Sequence, residues 1–404
     1  MKDNEKQGGM LGLSPVIVVL GIVSLLTDLS SEMLIPIIPV FLTTTLGAPV
    51  QLLGIIEGVA ESTASLLRVY AGWLADKFGR PKLLAVCGYG LSSIAKPFLA
   101  ISTSWLHVFA VRFTDRFGKG IRSAPRDVII AESAPQEIRG KAFGFHRMMD
   151  TTGAVLGPLA AYLILSIVKG GSGAAYRTVF LWGAVPALLA VAVLFKYVPE
   201  KPKEIRPVTP PKIKWGELST HLKLFLVVVA VFQIGNSSDA FLILRAKNVG
   251  VSVEHVLLIY ALFNVVSAAF SMPAGIASDK IGRGPILVLG LLVFTATYFG
   301  FAIASSPAII WLLFAVYGLY VGLTAGVLRA FAADLAPAEL RGTVIGAYFT
   351  IEGLSLLPAS AIAGFLWDKV SPAAPFYYGA ATALIAALML IFFLPSRRAR
   401  REAV

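Results

Sequence analysis

The chain has 404 residues, 57% of them hydrophobic and only 14% charged. Soluble domains carry about a quarter charged residues, so this composition excludes an ordinary soluble globular protein and makes the lipid bilayer the first expected partner. The formal net charge of +12 would suit a nucleic-acid binder. However, the basic residues fall in short breaks between apolar runs, as juxtamembrane charges do, and no nucleic-acid partner is expected. Cys87 is the one cysteine, so no intrachain disulfide forms. The start, MKDNEKQGGM, is polar and leads into a run too long for a signal h-region, so no cleavable signal is expected.

A spanning helix takes roughly 20 mostly apolar residues. That rule predicts twelve spans: 15–43, 50–73, 82–101, 104–131, 140–167, 174–198, 220–244, 252–276, 284–305, 307–334, 342–367 and 373–395. The fourth holds the run VRFTDRFGKGIRSAPRD and invites a break into two helices. Between spans six and seven, Pro199 to Trp215 is rich in Pro and Lys and reads as a semi-rigid linker. The predicted organisation is all-α and integral to the membrane. A six-helix bundle covers 1–198, a linker 199–218 and a second six-helix bundle 219–404. Most loop Lys and Arg fall on one side, including Lys77, Arg80, Arg139, Lys201, Lys280, Arg283 and Arg341. Lys169, Arg177, Arg245, Lys247 and Lys369 fall on the other. The imbalance predicts a multi-pass protein of the cytoplasmic (inner) membrane with both termini in the cytoplasm.

The sequence repeats at half its length. GWLADKFGRPKLL returns as GIASDKIGRGPIL, so Asp76 maps to Asp279 at an offset of 203. APQEIRGKAFG returns as APAELRGTVIG, so Arg139 maps to Arg341 at an offset of 202, and Asp150 then maps to Glu352. Ser30-Ser31-Glu32 resembles Ser237-Ser238-Asp239 in a shifted register. Transporters built from such parallel repeats hold their substrate near the midplane, at the repeat interface.

Three motifs carry a resemblance to a family. Gly72-Trp73-Leu74-Ala75-Asp76-Lys77-Phe78-Gly79-Arg80, with its copy from Gly275 to Arg283, resembles the loop signature between helices two and three of the major facilitator superfamily. Gly72 would allow close packing and Gly79 a turn at positive φ. Asp76, with Asp279 as its second-half copy, would sit near a helix N-terminus, and Lys77 and Arg80, with Arg283 in the copy, would pair with acids on neighbouring helices as a latch. Asp127, Arg139 and Arg341 join that gating set. Gly153, Gly157 and Pro158 on span five resemble the signature of exporting antiporters; small residues four apart let helices approach. Arg112 with Gly118 on span four is similar to a third family motif, though Asp115 and Arg116 stand where Gln and Gly are usual. The resemblance implies the twelve-helix fold and points to the proton-coupled, drug- and metabolite-exporting branch.

Ionisable groups at bilayer depth are functional candidates by default, because each costs at least about 2.5–3.5 kcal/mol to insert. Asp28 and Glu32 lie four apart, as do Glu57 and Glu61, so each pair shares a helix face. With Asp150 they are the proton-coupling candidates. Arg112, Asp115, Arg116, Gln233, Asn236, Asp239, Asn264 and Glu352 are the substrate-cavity candidates. Internal ion pairing, for example of Arg112 with Asp28 or Glu61, is the competing role. Repeat partners such as Asn264 for Glu61 and Gly318 for Arg116 are bland, which predicts that the first half handles charge and the second supplies more of the apolar wall.

No phosphate-binding loop is present, since Gly118-Lys119-Gly120 lacks the required frame. No GxSxG or HExxH motif supports an enzyme, and the four histidines have no metal spacing. The expected protein is a monomeric secondary transporter with no cofactor and no metal. It would move a small polar or amphipathic solute by alternating access, with the proton as coupling ion, most simply as efflux. The alternative is a proton symporter importing an anionic metabolite on the cationic stripe of span four.

Overall fold

The computed structural model describes residues 12–168, 172–200, 219–336 and 341–393. Most of the linker, the Arg-rich C-terminal tail, Lys169 and the second copy's Pro337 lie outside the described residues. Those described form helices in chain order: α1 (Pro15–Leu34), α2 (Ile38–Val40), α3 (Val50–Phe78), α4 (Pro81–Ala95), α5 (Trp105–Glu132), α6 (Arg139–Ile167) and α7 (Ser172–Tyr197). The second half continues with α8 (Thr220–Gly235), α9 (Ala240–Asn248), α10 (Val253–Ile281), α11 (Arg283–Ile303), α12 (Pro307–Asp334), α13 (Arg341–Lys369) and α14 (Ala374–Phe393).

Among the described residues, eleven segments are long and apolar enough to cross a membrane. The remaining predicted span, the fourth, is α5, whose charges depress its hydropathy. It is nevertheless one continuous helix of 28 residues that carries Pro125 inside, and the two-helix break does not occur. Large apolar side chains such as Phe392 and Ile167 are more than three-quarters exposed, which suits contact with lipid chains and not with water.

Two spans are not continuous. The first breaks at Ile35–Ile37, between Leu34 and the short α2, and then tightens into a π-helical turn, Phe41–Thr45. Pro36 and Pro39 explain the interruption, since neither can donate the helical hydrogen bond. The seventh breaks at Asn236–Asp239, between α8 and α9. Applying the repeat offset of 202 to 35–37 lands on 237–239, so both halves interrupt their first span at the same place.

The chain divides into two compact units. One comprises 1–47 with 63–210, the other 48–62 with 211–404. The division cuts α3 between Ser62 and Thr63.

Within the first unit, α1 packs along α6. An added Cβ at Gly153 would collide with the Leu25 carbonyl, and one at Gly157 would lie 2.7 Å from the Leu29 carbonyl. Gly120 of α5 rides on Ala64 and Leu67 of α3. Within the second unit its repeat partner Gly322 rides on Ser267 and Phe270 of α10, so the duplication extends to the helix seams. The first part of α3 packs on α13. Gly54 faces the Ser360 carbonyl, Gly58 faces Leu357, and the Asp368 carboxylate accepts a 2.8 Å bond from the Gln51 backbone N–H. That bond satisfies one of the open donors at the helix N-terminus.

Arginines close two helix ends. Arg245 is buried, and its guanidinium donates to the carbonyls of Phe301 at 2.9 Å, Ala302 at 3.0 Å and Ala304 at 3.1 Å. Arg177 does the same for Ala100 and Ser102, the latter at 2.7 Å. The receiving carbonyls are repeat partners, while the two arginines come from different helices. Neither is the loop charge that the sequence predicts. They lie within helices and satisfy C-terminal carbonyls that would otherwise be orphaned.

Candidate functional site

The first unit gathers its charges around α1, α4, α5 and α6. The Gly153–Gly157 seam brings α1 so close that an added Cβ at Gly153 would lie 3.2 Å from the Asp28 Cβ, and one at Gly157 would lie 2.8 Å from the Glu32 Cβ. Across this seam the carboxyls of Asp28 and Asp150 share a hydrogen bond. Such a bond needs one proton between two carboxyl groups. Asp150 also accepts from Ser24 and, at 3.1 Å, from Arg147. Pro158 is buried in the same helix. The helix-five motif is therefore a close-packing seam, and its physical product is this pair.

A second cluster surrounds Asp115. Ser92 donates to it, and Arg112 and Arg116 lie 3.7 and 3.8 Å away, all of them buried. Lys96 is only 2% exposed and donates 2.9 Å bonds to Ser30 and Ser31. It also acts electrostatically on Asp115 and Asp28. The sequence reading missed Lys96, although a lysine inside the apolar run 82–101 was visible. Its position marks where α4 tightens into a 3₁₀ turn, Lys96–Ile101. Arg122 lies 4.3 Å over the Tyr89 ring, and Arg126 pairs with Asp127 at 2.8 Å. His146 is buried one turn before Asp150, and its Nε2 has no hydrogen-bond partner among the described residues.

The five proton-coupling candidates divide between the two compact units. Asp28, Glu32 and Asp150 belong to the first unit, whereas Glu57 and Glu61 lie on the part of α3 grouped with the second. The second unit is consequently less bland than the repeat alignment implies. It holds Glu57, Glu61, Asp239 and Glu352. Asp239 sits at the break before α9, where it accepts a 2.7 Å bond from Tyr317. Gln233 is buried and accepts from Asn236 at 3.0 Å. Asn264 and Glu352 are half-buried.

The repeated loop signature is mostly helix. Residues 72–78 are the last two turns of α3 and 275–281 end α10, so Asp76 and Asp279 stand near helix C-termini and not near an N-terminus as expected. The turns themselves are Gly79 at φ +61° and Gly282 at φ +102°, where a side chain would be strained. Arg283 binds Asp279 at 2.6 Å, Asp334 of α12 at 3.1 Å and Ser278 at 2.6 Å. An added Cβ at Gly275 would meet nothing within 4 Å, so close packing does not explain this copy of the first glycine. Lys77 lies 4.9 Å from the Trp73 ring, Arg80 is the N-cap residue of α4, and Arg139 donates to the Ala131 carbonyl. The surroundings of Gly72 and the side chains of Asp76 and Arg341 lie outside what is described.

Comparison with known proteins agrees with this architecture. The sequence model of the Major Facilitator Superfamily matches residues 20–356 and 224–404. An uncharacterized MFS-type transporter of Methanocaldococcus jannaschii is 38% identical over 97% of both chains. The multi-drug resistance efflux pump PmrA of Streptococcus pneumoniae is 27% identical over 77% of this chain and 79% of its own. Among solved structures, a POT family transporter in complex with 5-aminolevulinic acid superposes with a TM-score of 0.80. It covers 96% of this chain and 97% of that one at 12% identity, and it shows the fold alone. By sequence over nearly its whole length and by its helical architecture, the chain belongs to the Major Facilitator Superfamily.

Proposed function

We propose that this transporter is proton-coupled and that the Asp28–Asp150 pair carries the proton. The chain is a multi-pass membrane transporter and not an enzyme. The finer reading rests on one observation, two carboxyls sharing a hydrogen bond across the α1–α6 seam. A carboxyl that binds and releases a proton must have its charge balanced differently in two states. Here the ingredients lie together. Asp150 is held by Ser24 and Arg147, Asp28 has Lys119 and Glu32 acting on it, and the seam is a glycine contact along which α1 can slide. Loss of the shared proton leaves two carboxylates in contact, and their repulsion favours a rearrangement of the seam.

In this reading the solute is small and polar or amphipathic, and it moves outward by alternating access between bundles 1–198 and 219–404, joined by the linker 199–218. The similarity to a protein named as an efflux pump supports export. The protein works as a monomer in the cytoplasmic membrane with both termini inside. Arg112, Asp115, Arg116, Gln233, Asn236, Asp239, Asn264 and Glu352 line the solute path, Glu32, Glu57 and Glu61 assist the proton, and the Arg283 ion pairs latch one state.

The test is flux by purified protein in proteoliposomes under an imposed pH gradient, with tetraphenylphosphonium, benzoate and a neutral sugar as probes. An exporter of this kind drives at least one probe against the direction of proton flow. Movement of a probe with the protons identifies a symporter and overturns the export reading. Flux of all three that ignores the gradient overturns proton coupling.

A further inference from the structure

The break in the seventh span places a carboxylate among aromatic rings. Asp239 is half-buried at the start of α9, and its hydrogen-bond donor is the Tyr317 hydroxyl. The Tyr317 ring stacks on Phe263 with centroids 5.4 Å apart, and Tyr320 and Tyr298 lie 5.4 and 6.2 Å from it. Among the described groups that act on Asp239 there is a second carboxyl, Glu61, and no lysine or arginine. The three arginines of this unit whose side chains are described are engaged elsewhere, Arg245 with three carbonyls, Arg283 with Asp279 and Asp334, and Arg329 with the Ala325 carbonyl. A carboxylate at this depth without a basic partner is costly. A hydroxyl bond from Tyr317 offsets only part of that cost, and the neighbouring Glu61 adds to it. The last carbonyls of α8 present further partial negative charge at the same break.

We propose that Asp239, Tyr317 and Phe263 recognise a cationic headgroup, an ammonium or phosphonium, on the transported solute. This deepens the transporter reading and rests on it. The carboxylate supplies the counter-charge, and the ring faces hold a weakly hydrated cation. Asn236, half-buried at the break, is available for a polar substituent. An anionic headgroup is disfavoured here by the two carboxyls.

Two probes of one shape and opposite charge decide the matter: tetraphenylphosphonium and tetraphenylborate, titrated into the purified full chain in nanodiscs and followed by calorimetry. The wild type is expected to bind the phosphonium at least tenfold tighter than the borate. Asp239→Asn should weaken phosphonium binding at least tenfold, Tyr317→Phe several-fold, and Asp239→Glu should keep the preference for the cation. Asp239→Glu also guards against a variant that merely fails to fold. Equal affinity of the wild type for both ions, or unchanged phosphonium affinity in a folded Asp239→Asn protein, overturns the site. In the second case, gradient-driven flux by the wild type leaves proton coupling standing. Conversely, Asp239-dependent binding with no gradient-driven flux sustains the site and overturns the coupling.

Discussion

Asp28 of α1 and Asp150 of α6 share a hydrogen bond because Gly153 and Gly157 let the two helices approach to backbone contact. The relationship joins a packing motif to a chemical one. Without the glycines, the carboxyls would be held apart by the side chains at those two positions.

Gly157→Ala places a methyl group 2.7 Å from the Leu29 carbonyl and 2.8 Å from the Glu32 Cβ, so the seam must widen. Overpacking of this kind costs about 1–3 kcal/mol. We expect a lower Tm and reduced gradient-driven flux. Gly144→Ala on the same helix meets nothing within 4 Å and should be neutral or stabilising by about 0.5–1 kcal/mol. Thermal denaturation of the two variants side by side checks the contrast.

Arg245→Ala strips the donors from three carbonyls at the end of α11. Leaving buried acceptors unsatisfied costs about 1–3 kcal/mol. Arg245→Lys should recover little, since one ammonium does not reproduce the guanidinium fork. A Tm for Arg245→Lys equal to that of the wild type would show that a positive charge alone is sufficient there.

Arg283→Gln removes the pairs to Asp279 and Asp334. Both acids are at least half exposed, and exposed ion pairs contribute only about 0–1 kcal/mol. The expected outcome is a small change in Tm with a clear change in transport rate, as for a latch between states. Gly282→Ala acts differently. It forces a side chain into φ +102° and should cost about 1–2 kcal/mol of stability, read as a lower Tm.

The duplication and the family were legible because their marks are local. Asp76 and Asp279 stand in nearly identical strings, and apolar runs announce the spans. The helix breaks were not legible. Ser237-Ser238-Asp239 interrupts an apolar run too briefly for hydropathy to register, and Pro36 is tolerated inside spanning helices often enough to carry little weight. Lys96 leaves no signal in span counting, because a single charge is averaged away over an apolar window. The glycine motif was legible as a seam, yet what the seam brings together, Asp28 with Asp150, depends on the register of α1 against α6. A single sequence does not encode that register in any short pattern. The first part of α3 belongs to the second unit for the same reason: Gly54 and Gly58 fit α13 by shape, and shape complementarity leaves no periodic signal.

The central claim is tested most directly by the pH-gradient dependence of flux in proteoliposomes for the wild type, Asp28→Asn and Asp150→Asn, each at matched folded protein. The account predicts that wild-type flux follows the gradient and that both substitutions abolish that response. Wild-type gradient dependence in both variants would contradict it.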